Sequence, residues 1–305
     1  MDFSRHAAEA VRPACTLPIQ RADVRGGLSF LHGGMTDTSL PKPTRADGRT
    51  VARENEMRIL RALHRFGWLR TRDVAALVFR RWSSKPAAVL SLAPIVATDS
   101  GIRMAQRTLR RLKEARFVLT AQGPDGSTVY ALAEAATRAL QALGITAASG
   151  KDAIRGISPA YFRHRCIANE LAIAGIVQGM RVSTEREIAR GLWTGGESGI
   201  AGKKPDVLWR NRDAWTWIEV QRSRHNKRDY AQLLSWLAAM IAASARAGAR
   251  IAADAMLYRI VFVCMPAFET KLLRDLAAKG VDSVLVRGLL TFERSLYKLE
   301  TIQFM

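Results

Sequence analysis

The chain has 305 residues, 48% of them hydrophobic, with 47 Lys and Arg against 27 Asp and Glu for a formal net charge of +20. That length accommodates two ordinary domains. No run approaches the roughly 20 apolar residues of a membrane span, and Asp2, Arg5 and Glu9 interrupt any secretory h-region. Three scattered cysteines (Cys15, Cys166, Cys264) make neither a disulfide framework nor a zinc cluster, so a soluble cytoplasmic protein without membrane partners is expected.

Residues 1–50 lack sustained periodicity and carry scattered Pro, Gly, Thr and Arg, which predicts a flexible basic arm. From Glu54, the spacing of Met57, Leu60, Leu63 and His64 predicts a helix ending near Gly67. Thr71 can cap a second helix, Arg72 to Phe79. A third runs from about Ile102 to Ala115, with Leu109 and Leu112 inward and Arg103, Gln106, Arg107, Arg110 and Lys113 outward; Arg111 adds to the same basic run. Phe117 to Ala121 and Thr128 to Leu132 flank a Gly123-Pro-Asp-Gly126 turn, which reads as a β-hairpin. Ala133 to Leu143 reads as a closing helix. Three helices followed by a hairpin is the winged helix-turn-helix order, placed at 51–145, with base contacts expected from the third helix. Residues 51–150 hold 16 basic and 7 acidic side chains, a net of +9, which favours DNA over a purely protein-binding use of this order.

Residues 146–157 are small and polar enough to be a linker. A second domain, 158–305, begins at Ser158-Pro159, a good helix start, with Ile167, Leu171, Ala174 and Val177 on one face. Arg181 to Ile188 reads as a strand, and Glu185 and Glu187 would share one of its faces as competing candidates for the acidic site. A glycine-rich loop, 191–202, follows. Two strands carrying Asp206 and Glu219 are joined by a turn at Asn211-Arg212-Asp213. Side-chain alternation points Glu219 and Gln221 the same way and brings Asp206 beside them. Arg228 to Ala245 reads as a long helix, Leu257 to Met265 as a buried strand, Ala267 to Lys279 as a helix and Val281 to Arg287 as a strand. The run Arg222-Ser-Arg224-His-Asn-Lys227-Arg228 could clamp phosphates beside the acidic pair. Trp209, Trp215 and Trp217 either pack in the sheet or stack on bases, and packing is the commoner use of aromatic strand residues. His164 and Cys166 read as ordinary helix residues, and no phosphate-cradling glycine loop points to ATP hydrolysis.

The α-β-β-β-α-β order, with Pro205-Asp206 and Glu219-x-Gln221 on adjacent strands, resembles the PD-(D/E)xK restriction-endonuclease-like superfamily over about 158–290. With a winged helix before it, the chain resembles the replication-relaxation family of plasmids and mobile elements over about 54–290. The resemblance implies an α/β (α+β) fold and a metal site. Asp206 and Glu219 would give carboxylate oxygens to Mg²⁺ or Mn²⁺, and Glu170 matches the superfamily's first-helix carboxylate, although such a residue otherwise faces solvent or pairs with arginine. The superfamily usually has a lysine two residues after the Glu. Here it is Gln221, which carries no charge, and Lys227 is the expected replacement.

The function expected is a double-stranded-DNA-binding protein of a plasmid or mobile element, acting in mobilisation or replication with metal-dependent DNA nicking or cleavage. Relaxase or replication proteins are the expected partners. The competing expectation is an inactive regulator or relaxosome accessory factor built on a degenerate nuclease fold.

Overall fold

In a computed structural model, helix α1 (Gly48–Phe66) opens the described part of the chain, which comprises residues 47–87, 89–221, 226–245 and 256–297. The expected basic arm lies outside it except for its last few residues, which belong to α1 and its N-cap. Ile59, Leu60, Ala62, Leu63 and Phe66 are the buried stripe of α1. Gly67 ends the helix at φ 82°, a conformation glycine adopts without the strain of a Cβ.

Strand β1 (Trp68–Arg70) leads directly into α2 (Thr71–Val78). Thr71 is therefore the first helical residue rather than the cap, and Asp73 accepts the Arg70 backbone N–H at 2.9 Å. Helix α3 (Asp99–Glu114) starts at Thr98, whose hydroxyl accepts from the Gly101 N–H, and buries Ala105, Leu109 and Leu112. The hairpin follows as β2 (Val118–Gln122) and β3 (Thr128–Leu132), turning through Gly126 at φ 78°. These strands and β1 make an antiparallel sheet in the order β1-β3-β2, and α4 (Glu134–Gln141) closes it.

The segment expected to be a linker contains α5 (Lys151–Arg155). Ala153, Ile154 and Ile157 pack on a small apolar cluster of Trp68, Val129, Ala131 and Phe162. Gly150 lies so close under β3 that a Cβ there would meet the Ala131 methyl at 2.6 Å.

Helix α6 (Pro159–Val177) has Ser158 as its cap and proline in its first turn. The strand expected over 181–188 is shorter: β4 (Arg181–Ser183) gives way to α7 (Glu185–Ala189). Thr184 and Glu187 form a reciprocal capping box, which satisfies two orphan N–H groups and starts a helix where alternation suggested a strand. β5 (Val207–Asn211) and β6 (Ala214–Gln221) turn through Arg212 at φ 56°. Helix α8 (Lys227–Ser244), strand β7 (Met256–Cys264) and helix α9 (Pro266–Ala278) follow. The strand expected over 281–287 is instead helix α10 (Ser283–Leu289), with β8 (Leu290–Glu293) after it. The Asp282 carboxylate caps α10 by accepting from Val284 N and Leu285 N, and Val286 and Leu289 are its buried face.

The second sheet runs β4-β5-β6-β7-β8, antiparallel as far as β6 and parallel beyond it. The fold is thus mixed α/β, with helices beside two sheets. Ala46–Met305 form one compact unit. A single apolar cluster extends from α1–α4 through α6 to the inner faces of β5, β6 and β7. A second cluster fills the opposite face of the larger sheet under α8, α9 and α10. No helix among the described residues is long and apolar enough to cross a membrane.

Candidate active site

Register brings the acidic pair together. Val207 pairs with Ile218, and the Asp206 N–H donates to the Ile218 carbonyl at 3.0 Å, so Asp206 stands opposite Glu219 across the β5–β6 ladder. The Val220 N–H donates to Asp206 Oδ2 at 2.7 Å, and His164 Nε2 on α6 lies 3.1 Å from Oδ1. Glu219 is 4% exposed and Gln221 8%. The Trp217 indole N–H donates to Glu219 Oε1 at 2.6 Å, as expected for side chains two apart on one strand face. Gln221 Nε2 donates to Oε2 at 3.4 Å.

The amine that reaches Glu219 is that of Lys203, not Lys227. Lys203 Nζ lies 3.1 Å from Oε1 and 3.2 Å from Oε2. A two-residue bridge between Ile200 and Lys203 folds the glycine-rich loop back so that this side chain enters the site ahead of Asp206. Trp236 on α8 forms the other wall, with its ring 5.9 Å from Nζ. Lys227 is the exposed first residue of α8, and Arg228 beside it is also exposed. Arg222 and Arg224 lie outside the described residues.

The electrostatics follow from burial and neighbouring charge. Burial raises the Glu219 carboxyl above the usual range; Lys203 opposes this and the Asp206 charge adds to it. Burial alone would lower the His164 imidazole, but Asp206, by charge and hydrogen bond, holds it above its ordinary value. Glu185 opens α7 with its Oε2 buried and unpartnered, and burial followed by the Asp206 charge pushes its carboxyl up to about 9. Arg165 Nη1 approaches Glu185 Oε1 at 3.3 Å.

Glu170 is placed elsewhere. Arg70 and Arg72 hold its Oε1 at 2.7 and 2.8 Å, so this carboxylate ties α6 to β1 and α2. Glu187 likewise pairs with Arg65 at 2.7 Å. The three sheet tryptophans are core: Trp209, Trp215 and Trp217 are each at most 2% exposed. The face of α3 is as expected, with Arg103, Gln106, Arg107, Arg110 and Lys113 exposed, while Arg111 pairs with Glu56 on α1 at 3.1 Å.

Asp206 and Glu219 are hard oxygen donors, and Mg²⁺ takes one or two such carboxylates while keeping its waters. Among the described residues, no three His, Cys, Asp or Glu side chains gather as a metal-holding group. The donor chemistry therefore fits a hydrated hard cation and not a full protein cage.

His164 and Lys203 were not found by reading the sequence as site residues, whereas Glu185 was weighed there with Glu187 as a competing carboxylate. Lys203 is three residues before Asp206, close enough to be considered. His164 carries no local signal, because only tertiary packing brings α6 to the end of β5. Compared with protein-family models, curated proteins and solved structures, the chain gives no match.

Proposed function

We propose that the chain is a DNA-binding protein with metal-dependent endonuclease activity, combining a winged helix-turn-helix with a restriction-endonuclease-like domain. The supporting element order is three helices and an antiparallel hairpin sheet, then, after α4 and α5, α6, β4, the short α7, β5, β6, α8 and β7. The observation that carries the catalytic part is the Lys203 amine within 3.2 Å of Glu219, opposite Asp206. Gln221 cannot supply a charge or a base at this place; Lys203 can.

Within this reading α3 supplies the DNA-facing side chains Arg103, Gln106, Arg107, Arg110 and Lys113. Their charge attracts the backbone, and arginine forks suit phosphate and guanine. Asp206 and Glu219 would hold Mg²⁺ or Mn²⁺, which when bound neutralises charge developing on the phosphodiester and acidifies a water. Lys203 orients the attacking water beside Glu219. His164 holds the Asp206 carboxylate in place. The resemblance to the replication-relaxation family makes plasmid or mobile-element DNA the proposed substrate, with mobilisation or replication as the setting.

A second reading, a DNA-binding factor on an inactive nuclease scaffold, is favoured by one observation: each oxygen of Asp206 and Glu219 already has a protein donor, from His164, Val220 N–H, Trp217 and Lys203. Supercoiled plasmid incubated with the protein and Mg²⁺ or Mn²⁺ separates the two. The enzyme reading expects nicked circles with wild type and none with Asp206→Ala or Glu219→Ala. If wild type does not nick, or both variants still do, the inactive scaffold is the better account.

A further inference from the structure

Beside the acidic pair, on the other side of α6, a cleft of about 390 Å³ is lined by Arg165, Arg186, Arg190, Tyr161 and Trp68. We propose that this cleft binds a phosphoryl group of the nucleic-acid strand, next to the site of cleavage. The proposal rests on the DNA-binding reading above and adds a second anchoring point to it.

Arg165 is 8% exposed and donates through Nη2 to the Phe66 carbonyl at 2.5 Å, yet its Nε is buried without a partner. The Arg186 Nε is also buried and unpartnered. Among the described residues neither Arg186 nor Arg190 has an ion pair, although both sit on or beside a helix with two glutamates. Glu187 is taken by Arg65. The one acid on the wall of the cleft is Asp152. Burial, then the charges of Arg190 and Arg165, hold the Arg186 guanidinium below its ordinary range, as expected of crowded cations of which only Arg165 has a carboxylate beside it, Glu185 at 3.3 Å. A phosphoryl group is tetrahedral and offers several acceptor oxygens, two of which the planar arginine fork can take at once.

The surroundings favour a nucleotide over a bare ion. Trp68 and Phe162 stack at 5.3 Å and 8° along the wall, and Tyr161 is 48% exposed at the mouth, where a base can lie on it. Consecutive residues of α6 serve the two places: His164 reaches Asp206 and Arg165 reaches the cleft. A strand with one phosphate in the cleft therefore has a nearby phosphodiester at Asp206 and Glu219.

The test uses the full chain, with Arg190→Ala, an exposed position, and Arg186→Gln as variants. Melting temperature is read in inorganic phosphate against chloride at equal ionic strength, and affinity for a labelled DNA duplex is read across a salt series. Phosphate should raise the wild-type melting temperature and not that of the variants. Both variants should bind duplex about tenfold more weakly, with the salt slope reduced by about one. Loss of the phosphate shift with duplex affinity unchanged would assign the cleft to a free phosphate and overturn the nucleic-acid assignment. If wild type binds duplex and neither variant changes the shift or the affinity, this proposal alone is wrong. A wild type that binds no duplex overturns it together with the DNA-binding reading.

Discussion

The outer face of α3 and the acidic pair between β5 and β6 are constructed in opposite ways. On α3, Arg103, Gln106, Arg107, Arg110 and Lys113 extend into solvent, and Arg111 is the one member of the run with a carboxylate partner among the described residues. At the sheet, Asp206 and Glu219 are held by donors from α6, β6 and the glycine-rich loop. A binding face keeps its donors free for a partner, whereas a chemical site fixes its groups before the partner arrives. Under the proposed function, the free cations would bind DNA and the fixed carboxylates would serve its cleavage.

The largest expected effect is between these regions, where Arg70 ties β1 and α2 to α6. Arg70 is 1% exposed and bonds Asp73 at 2.8 Å and Glu170 at 2.7 Å. Arg70→Ala would leave Asp73, itself 2% exposed, as an unpaired buried charge. Such losses cost about 3–5 kcal/mol, readable by urea unfolding. A cost near zero would mean that this triad does not hold β1 and α2 to α6. Trp217→Phe removes one donor from buried Glu219 and should cost about 1–3 kcal/mol in the same assay; no cost would mean that the carboxylate is less fixed than its hydrogen bonds imply. On the other face, Arg107→Ala or Arg110→Ala should leave stability unchanged and lower the salt slope of duplex binding by about one each. Unchanged slopes would remove α3 from the interface.

A different kind of effect, read along pH and not as a loss on substitution, is expected at Glu185. Its folded carboxyl is pushed up to about 9 from 4.5 by burial and then by Asp206. The unfolded chain therefore releases this proton first. Stability from this group is full below about pH 4.5 and falls as pH rises toward 9. Glu185→Gln should flatten that fall and raise the melting temperature at pH 8. A melting profile unchanged between pH 5 and 9 would contradict it.

Much of the N-terminal fold was legible because its signals are local. Leu109 and Leu112 recur at helical spacing, and Gly123-Pro-Asp-Gly126 encodes the turn. The acidic pair was legible for the same reason, since one short turn joins its strands. Two strands were misread where valines and isoleucine mimicked alternation. At 185–189 the Thr184–Glu187 capping box decided for helix, a signal that was present in the sequence. At 283–289 the Asp282 cap and burial of Val286 and Leu289 overrode the β-propensity of valine. For Glu170 the sequence left metal binding and arginine pairing open, because its partners, Arg70 and Arg72, lie about a hundred residues away. Lys203 was missed because the loop reversal that delivers it depends on tertiary packing.

The central claim is that Lys203, rather than Lys227, completes a catalytic centre with Asp206 and Glu219. The most direct test measures plasmid nicking and duplex affinity in parallel for Lys203→Ala and Lys227→Ala. The account predicts that Lys203→Ala abolishes nicking while duplex binding persists, and that Lys227→Ala still nicks. Nicking that survives Lys203→Ala but disappears with Lys227→Ala would contradict it.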